Sequence, residues 1–391
     1  MSQDKAKIWF FTDIHGSTAC FKKFLNLVDN DNKPNVLIIG GDITGKQLVP
    51  IVEDEHGKYV IPIGGSNVTV KKELIDEVMK GLSDVGYYPY QCSMIDYMNI
   101  NYHSGDKCRE LFDKLIKERL EEWVRLADAK LPSRDICKVI VNLGNDDPFF
   151  ADAILDSSSK LIRPEGKVID LPAGLKLLST GYSTKTPWKC PRDITEAELT
   201  RIISSMTQQL KTGDKLIFNF HCPPVNSSLD LAYGIDPITL RPMAGLGSNP
   251  TINVGSYEVR KAIEFWQPVA SLHGHIHEVH AKEYIKNTLC FNPGTDYQHG
   301  KLQGAFLQIN SQGVIEYETL TKEMQNSVQP AVSNNMLKAF LSSLPGIGIF
   351  FKNYTAPKLP EKESELEKVR KSLEELRTAV SSLKEQKDDK I

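Results

Sequence analysis

Carboxylate, imidazole and carboxamide side chains gather in this sequence where short apolar runs break off into polar text. Asp13 and His15 follow Ile8–Thr12, Asp42 follows Val36–Ile39, and Asn145 with Asp146 follows Val139–Leu143. His221 follows Leu216–Phe220, and His275 with His277 follows Val269–Leu272. Such a donor set lacks thiolates, so it suits borderline-hard divalent ions such as Mn²⁺, Fe²⁺ or Zn²⁺, with Mg²⁺ also admissible, rather than a structural zinc. A two-ion site needs one carboxylate able to bridge. Asp42, in Gly40-Gly41-Asp42 at a strand end, is placed for that, and its glycines keep backbone bulk away from the ions.

Each of those apolar runs reads as a buried strand opening into a loop. Helical text lies between them, including Cys108–Lys130 and Thr195–Leu210, which gives the strand and helix alternation of an α/β sheet. In such sheets the loops after the strands' carboxyl ends collect the functional side chains. Beyond residue 280 the text changes to strands and turns, with a hairpin expected from Gly304–Asn310 and Gly313–Leu320. Residues 46–134 exceed a simple crossover and are expected to form an insertion capping the site face. The expected division is a catalytic domain over 1–324, an apolar linker over 325–360, and a short coiled coil over 361–391. Within the linker, 336–351 is too short to span a bilayer and could pack under the catalytic domain or serve as a protein or peripheral membrane contact. In the tail, Leu366, Val369, Leu373, Leu376, Val380 and Leu383 trace a heptad seam, which points to a homo-oligomer through 361–390.

The chain has 391 residues and a formal charge of −3, so no basic surplus marks nucleic acid as its partner. Its seven cysteines are scattered without a Cys-x-x-Cys spacing, which argues against a disulfide framework or zinc-thiolate site. The polar start lacks the pattern of a secretory signal, and the expected location is cytoplasmic.

Taken in order, Asp13-Ile14-His15, Gly41-Asp42, Gly144-Asn145, His221-Cys222-Pro223-Pro224 and Gly274-His275-Ile276-His277 resemble the five signature blocks of calcineurin-like metallophosphoesterases over about residues 8–320. The stretches Ser228–Ala232, Gly255-Ser256, Gln267-Pro268 and Asn292-Pro293-Gly294 with Tyr297 are similar to the Icc-related subgroup. The resemblance implies a four-layer α/β/β/α sandwich with two mixed β-sheets. It also implies one ion on Asp13, His15, Asp42 and His277, and a second on the shared Asp42 with Asn145, His221 and His275. The implied activity is hydrolysis of a phosphate ester by in-line attack of a metal-bridging hydroxide at this dinuclear centre, with Mn²⁺ favoured. Phosphodiesters or nucleotide-like small molecules are the preferred substrates. The rivals are a non-catalytic scaffold or oligomerisation protein on the same fold, and a nuclease.

One position departs from the pattern. The histidine that usually follows Gly-Asn, touches phosphate and can protonate the leaving group is replaced by Asp146, which is read either as support for a ligand or as a helix N-cap. His103, His299 and a metal-bound water are the candidates to supply the acid in its place. His273 reads as a hydrogen-bonded core residue, and His56 and His280 as surface residues. Gly40–Lys46 mimics a phosphate-binding loop, but Gln47 stands where Ser or Thr should hold magnesium. Tyr87, Tyr88, Tyr90 and Tyr102 could stack a base, or simply fill core and loop.

Overall fold

Burial alternates along the first strand, and that alternation sets the layers. In a computed structural model describing residues 4–29, 33–54, 56–63, 66–100, 105–236, 243, 251–313 and 315–319, Lys5–Phe11 pairs in parallel with Val36–Ile39 and antiparallel with Gly304–Asn310. Lys138–Val141 and Leu161–Ile162 extend the sheet on one side and Ile315–Thr319 closes the other, making six strands. A second six-stranded sheet runs in the order Ala281–Ile285, Thr288–Asn292, Ala270–Leu272, Lys215–Phe220, Leu175–Thr180, Val168–Asp170. Antiparallel strands flank the parallel core of this sheet at both edges, so both sheets are mixed.

Successive side chains on a strand point to opposite faces. Ile8, Phe10, Val36, Ile38 and Ile140 therefore meet Leu175, Leu177, Ile217, Leu272 and Phe291 in a core between the sheets. Trp9, Phe11, Leu37, Ile39, Val139 and Val141 face outward instead, against helices Thr18–Asn26 and Asp106–Lys130. On the far side, Leu178, Phe218 and Phe220 pack against helices Glu196–Thr207 and Tyr257–Trp266. The result is the expected α/β/β/α sandwich. Capping sets the helix starts: Ser17 accepts from Cys20 N, Thr195 and Glu198 form a reciprocal capping box, and Ser256 accepts from Glu258 N and Val259 N.

The 46–134 stretch divides in two. Its first part folds into a four-stranded sheet, in the order Ser66–Val70, Tyr59–Ile63, Leu48–Glu53, Tyr88–Ser93, with its own small core against helix Ile75–Asp84. Its long helix Asp106–Lys130, by contrast, buries Ile116, Leu120, Trp123 and Ala127 in the outer α layer, where Trp123 stacks on Phe21. That half is crossover rather than cap. Tyr87 and Tyr88 are buried core residues, which settles those two in favour of packing. The apolar 336–351 segment, the 361–391 heptad, Tyr102 and His103 lie outside the described residues. Among the described residues, no helix is long and apolar enough to cross a membrane.

Candidate metal centre

Because the central strands of both sheets run parallel, the loops after Phe11, Ile39, Val141, Phe220 and Leu272 emerge along one edge, and the seven polar residues read from the sequence sit there. Hydrogen bonds lace the loops together: Asp13 N to Gly41 O, His15 N to Asp42 O, Gly274 N to His221 O, and His275 N to the Asp13 carboxylate. Asp13, His15, Asp42 and His275 all have positive φ, at 54°, 37°, 49° and 70°. Left-handed backbone at a non-glycine residue costs about 1 kcal/mol or more and collects at functional sites. Two glycines are required by close approach, since a Cβ on Gly144 would strike the Asp42 carboxylate and one on Gly41 would strike the His221 ring.

The side chains fall into two groups that share Asp42: Asp13, His15, Asp42 and His277 in one, Asp42, His221 and His275 in the other, with ligand atoms within 4.8 Å of one another in each. Asn145 Oδ1 lies 2.9 Å from His275 Nδ1 and so joins the second group. Two observations test whether ions fit here. His221 is fully buried, yet neither ring nitrogen has a hydrogen-bond partner, the nearest carboxylate oxygen to Nε2 being Asp42 Oδ2 at 3.4 Å. A buried polar atom left unpaired needs an explanation, and a metal bond is one. His15 Nε2 and His277 Nε2 face each other at 2.8 Å. Nitrogens bound to one ion at about 2.1 Å in a cis arrangement would lie roughly 3 Å apart. The donor set and its spacing fit a pair of divalent ions.

Neighbouring groups aim these ligands. His15 Nδ1 lies 3.2 Å from Thr44 O, so it carries the proton and leaves the Nε2 lone pair facing the cluster. Asn145 Nδ2 donates to Asp193 Oδ1, which turns its carbonyl oxygen inward. Asp147 was not singled out from sequence, yet its carboxylate accepts from Ile43 N, Thr44 N, Thr44 Oγ1 and Gly144 N and so ties two site loops together. Burial and the nearby Asp42 push its pKa up to about 6. Burial also raises Asp42, with Asp146 adding to the effect. Burial works against the charge of Asp13, but His221 and His277 outweigh it and hold that carboxyl far below the usual range. Burial and His221 depress His275 to about 3, so its imidazole is neutral.

Asp146 caps no helix, since Phe149 is the cap of Phe150–Asp156. Its carboxylate pairs instead with Lys46 and accepts the Cys190 thiol at 2.7 Å, while its backbone N donates to Asp42 Oδ1 at 3.0 Å. Lys46 belongs to this ion pair rather than to a phosphate-binding loop. Nothing local marks the pair, whose members stand 100 positions apart in the sequence. His299 pairs with Asp296, and its side chain is 60% exposed. His273 is a buried structural residue, with Nδ1 bonded to Phe220 O and Cys222 O and Nε2 to Ser271 Oγ.

Over 121 residues, 30% of its length, the chain is 28% identical to an uncharacterized protein of Methanocaldococcus jannaschii, and the match spans 48% of that protein, about half its length. A Thermus thermophilus structure superposes with a TM-score of 0.43 at 11% identity, covering 80% of this chain and 98% of that one. For a phosphopantetheinyl hydrolase of Mycobacterium tuberculosis the TM-score is 0.39 at 12% identity, over 75% and 91%. Residues 6–71 match the sequence model of the family described as calcineurin-like phosphoesterase. Asp13, His15 and Asp42 lie inside that matched segment, which is similar to the calcineurin-like phosphoesterases, and the other four ligand candidates gather beside them.

Proposed function

We propose that this protein is a metal-dependent hydrolase of phosphate esters working at a two-ion centre, Mn²⁺ being the favoured metal. One observation carries the proposal: two ligand groups from five loops converge and share Asp42. Asp13, His15, Asp42 and His277 would hold one ion, and Asp42, Asn145, His221 and His275 the other. Such ions supply Lewis acidity and a water acidic enough to attack phosphorus near neutral pH. The chain's own part is to hold these donors rigid. Thr44 O fixes the His15 tautomer, Asp193 aims Asn145, and the Asp13 carboxylate takes the amide of His275. Lys46 compensates the charge of Asp146, so a phosphate approaching the rim does not meet a bare carboxylate.

The test is metal analysis of the purified chain with a panel of p-nitrophenyl phosphate and its bis-ester, run beside Asp42→Asn. We expect hydrolysis that requires Mn²⁺ and falls at least ~100-fold in the variant, since a weakened shared ligand would forfeit part of the several kcal/mol of charge stabilisation that bound ions supply. Equal rates in variant and parent would refute the mechanism.

A further inference from the structure

Asp146 directly follows the ligand candidate Asn145, and the structure gives its carboxylate a cationic partner from the loop after the second strand. We propose that Lys46, tethered by Asp146 at the rim of the metal-ligand cluster, contacts a non-bridging phosphate oxygen of the substrate, and that this paired charge selects singly charged phosphodiesters over doubly charged monoesters. This rests on the phosphoesterase reading above and narrows its substrate class.

Three observations support it. First, the pair is within reach of a ligand: the Lys46 and Asp146 side chains keep 27% and 17% of their surface exposed, whereas Asp13, Asp42 and His221 keep 2% or less. Second, it stands against the cluster, because the Asp146 amide donates to Oδ1 of the bridging candidate Asp42 at 3.0 Å. Third, the pair is held in place from behind by the Cys190 thiol on the other Asp146 oxygen. An ammonium has three donors, and a carboxylate oxygen uses one, so two remain for an incoming oxyanion. Lysine serves phosphate as a point charge.

The charge balance sets the preference. Were two divalent ions held there, the carboxylates of Asp13, Asp42 and Asp147 and a hydroxide nucleophile would offset them at pH 8 and leave no surplus positive charge. Lys46 and Asp146 add nothing to that sum. A phosphodiester monoanion then brings one negative charge up to Asp146, whereas a monoester dianion brings two. At the separations and effective dielectric of a partly exposed site, one such charge is worth about tenfold in binding.

The test uses the full chain loaded with Mn²⁺, in the parent, Lys46→Met, Lys46→Arg and Asp146→Asn forms, after circular dichroism and metal analysis show each folded with the parent's metal content. Titration calorimetry at pH 8 measures binding of inorganic phosphate and dimethyl phosphate, and p-nitrophenyl phosphate and its bis-ester supply the rates. Lys46→Met should weaken both anions about tenfold or more, with Lys46→Arg recovering part of the loss. Asp146→Asn should favour phosphate over dimethyl phosphate by about tenfold and move the monoester-to-diester rate ratio the same way. Unchanged anion affinity in Lys46→Met, or an unchanged anion ratio in Asp146→Asn, overturns the proposal. If the metal-loaded parent cleaves neither ester, the phosphoesterase reading fails by itself, and the anion affinities still decide the assignment of Lys46.

Discussion

Raising the pH should tighten metal binding, and His221 sets by how much. Its Nε2 lies 3.4 Å from Asp42 Oδ2 and 3.9 Å from Asp13 Oδ1. Burial disfavours the imidazolium, but those two carboxylates outweigh it and lift the pKa from 6.5 to about 9. In the ion-free protein a proton therefore occupies the position that an ion would take. Because the folded pKa is the higher one, the imidazolium contributes stability that is fully present below pH 6.5 and fades as the pH rises through 9. An ion bound by His221 must displace that proton, at about 1.36 kcal/mol for each pH unit below the pKa, so apparent affinity should rise roughly tenfold per unit in this window. Calorimetric titration of the full chain with Mn²⁺ from pH 6.5 to 8.5, in two buffers of different protonation enthalpy, reads both the slope and the proton released. His221→Gln should abolish most of the slope. An affinity independent of pH, with no proton passed to the buffer, would refute the assignment of His221 as a ligand.

Three further outcomes are expected. Asp147→Ala strips four hydrogen bonds from two site loops, and should cost about 3–5 kcal/mol in urea unfolding and about 10- to 100-fold in Mn²⁺ affinity. Glu165 accepts from Gly181 N, and its pKa is raised from 4.5 to about 7, chiefly by burial. The stability it lends is therefore present below pH 4.5 and lost as the pH climbs through 7, so Glu165→Gln should lose about 2 kcal/mol less than the parent between pH 5 and pH 8, after allowing for partial solvent access. Phe10→Ala empties a fully buried position between the sheets and should lower the unfolding free energy by about 3–5 kcal/mol, with metal stoichiometry unchanged in the folded fraction.

Strand ends were legible because a buried strand must change character abruptly where it meets solvent. Val36–Ile39 falls where the apolar run lies, and Lys215–Phe220 begins one residue before it. The cluster was legible for the same reason, as strand-end loops hold its members and strand order does the rest. What sequence hid are partnerships across long separations. Asp147 reads as one more acidic residue before a proline, yet it organises residues 43 and 44, over 100 positions away. Lys46 reads as part of a glycine-rich loop until Asp146 is set beside it. The aromatic cluster at 87–90 reads equally as a base-stacking surface or as packing, and two of its tyrosines are spent on packing, one in each of two cores.

The two plates of the sandwich come from different parts of the chain. One is a continuous stretch, 168–292, whereas the other is stitched from 5–162 and the returning strands after 304. Asp13, His15, Asp42 and Asn145 project from the stitched plate, and His221, His275 and His277 from the continuous one. Ions held by both would act as rivets through a laminate, joining halves that otherwise adhere through apolar contact and a few loop bonds. Chelation would then be felt far from the rim: amides of the inner strands, including those of Ile38 and Ile217, should exchange faster once the rivets are drawn.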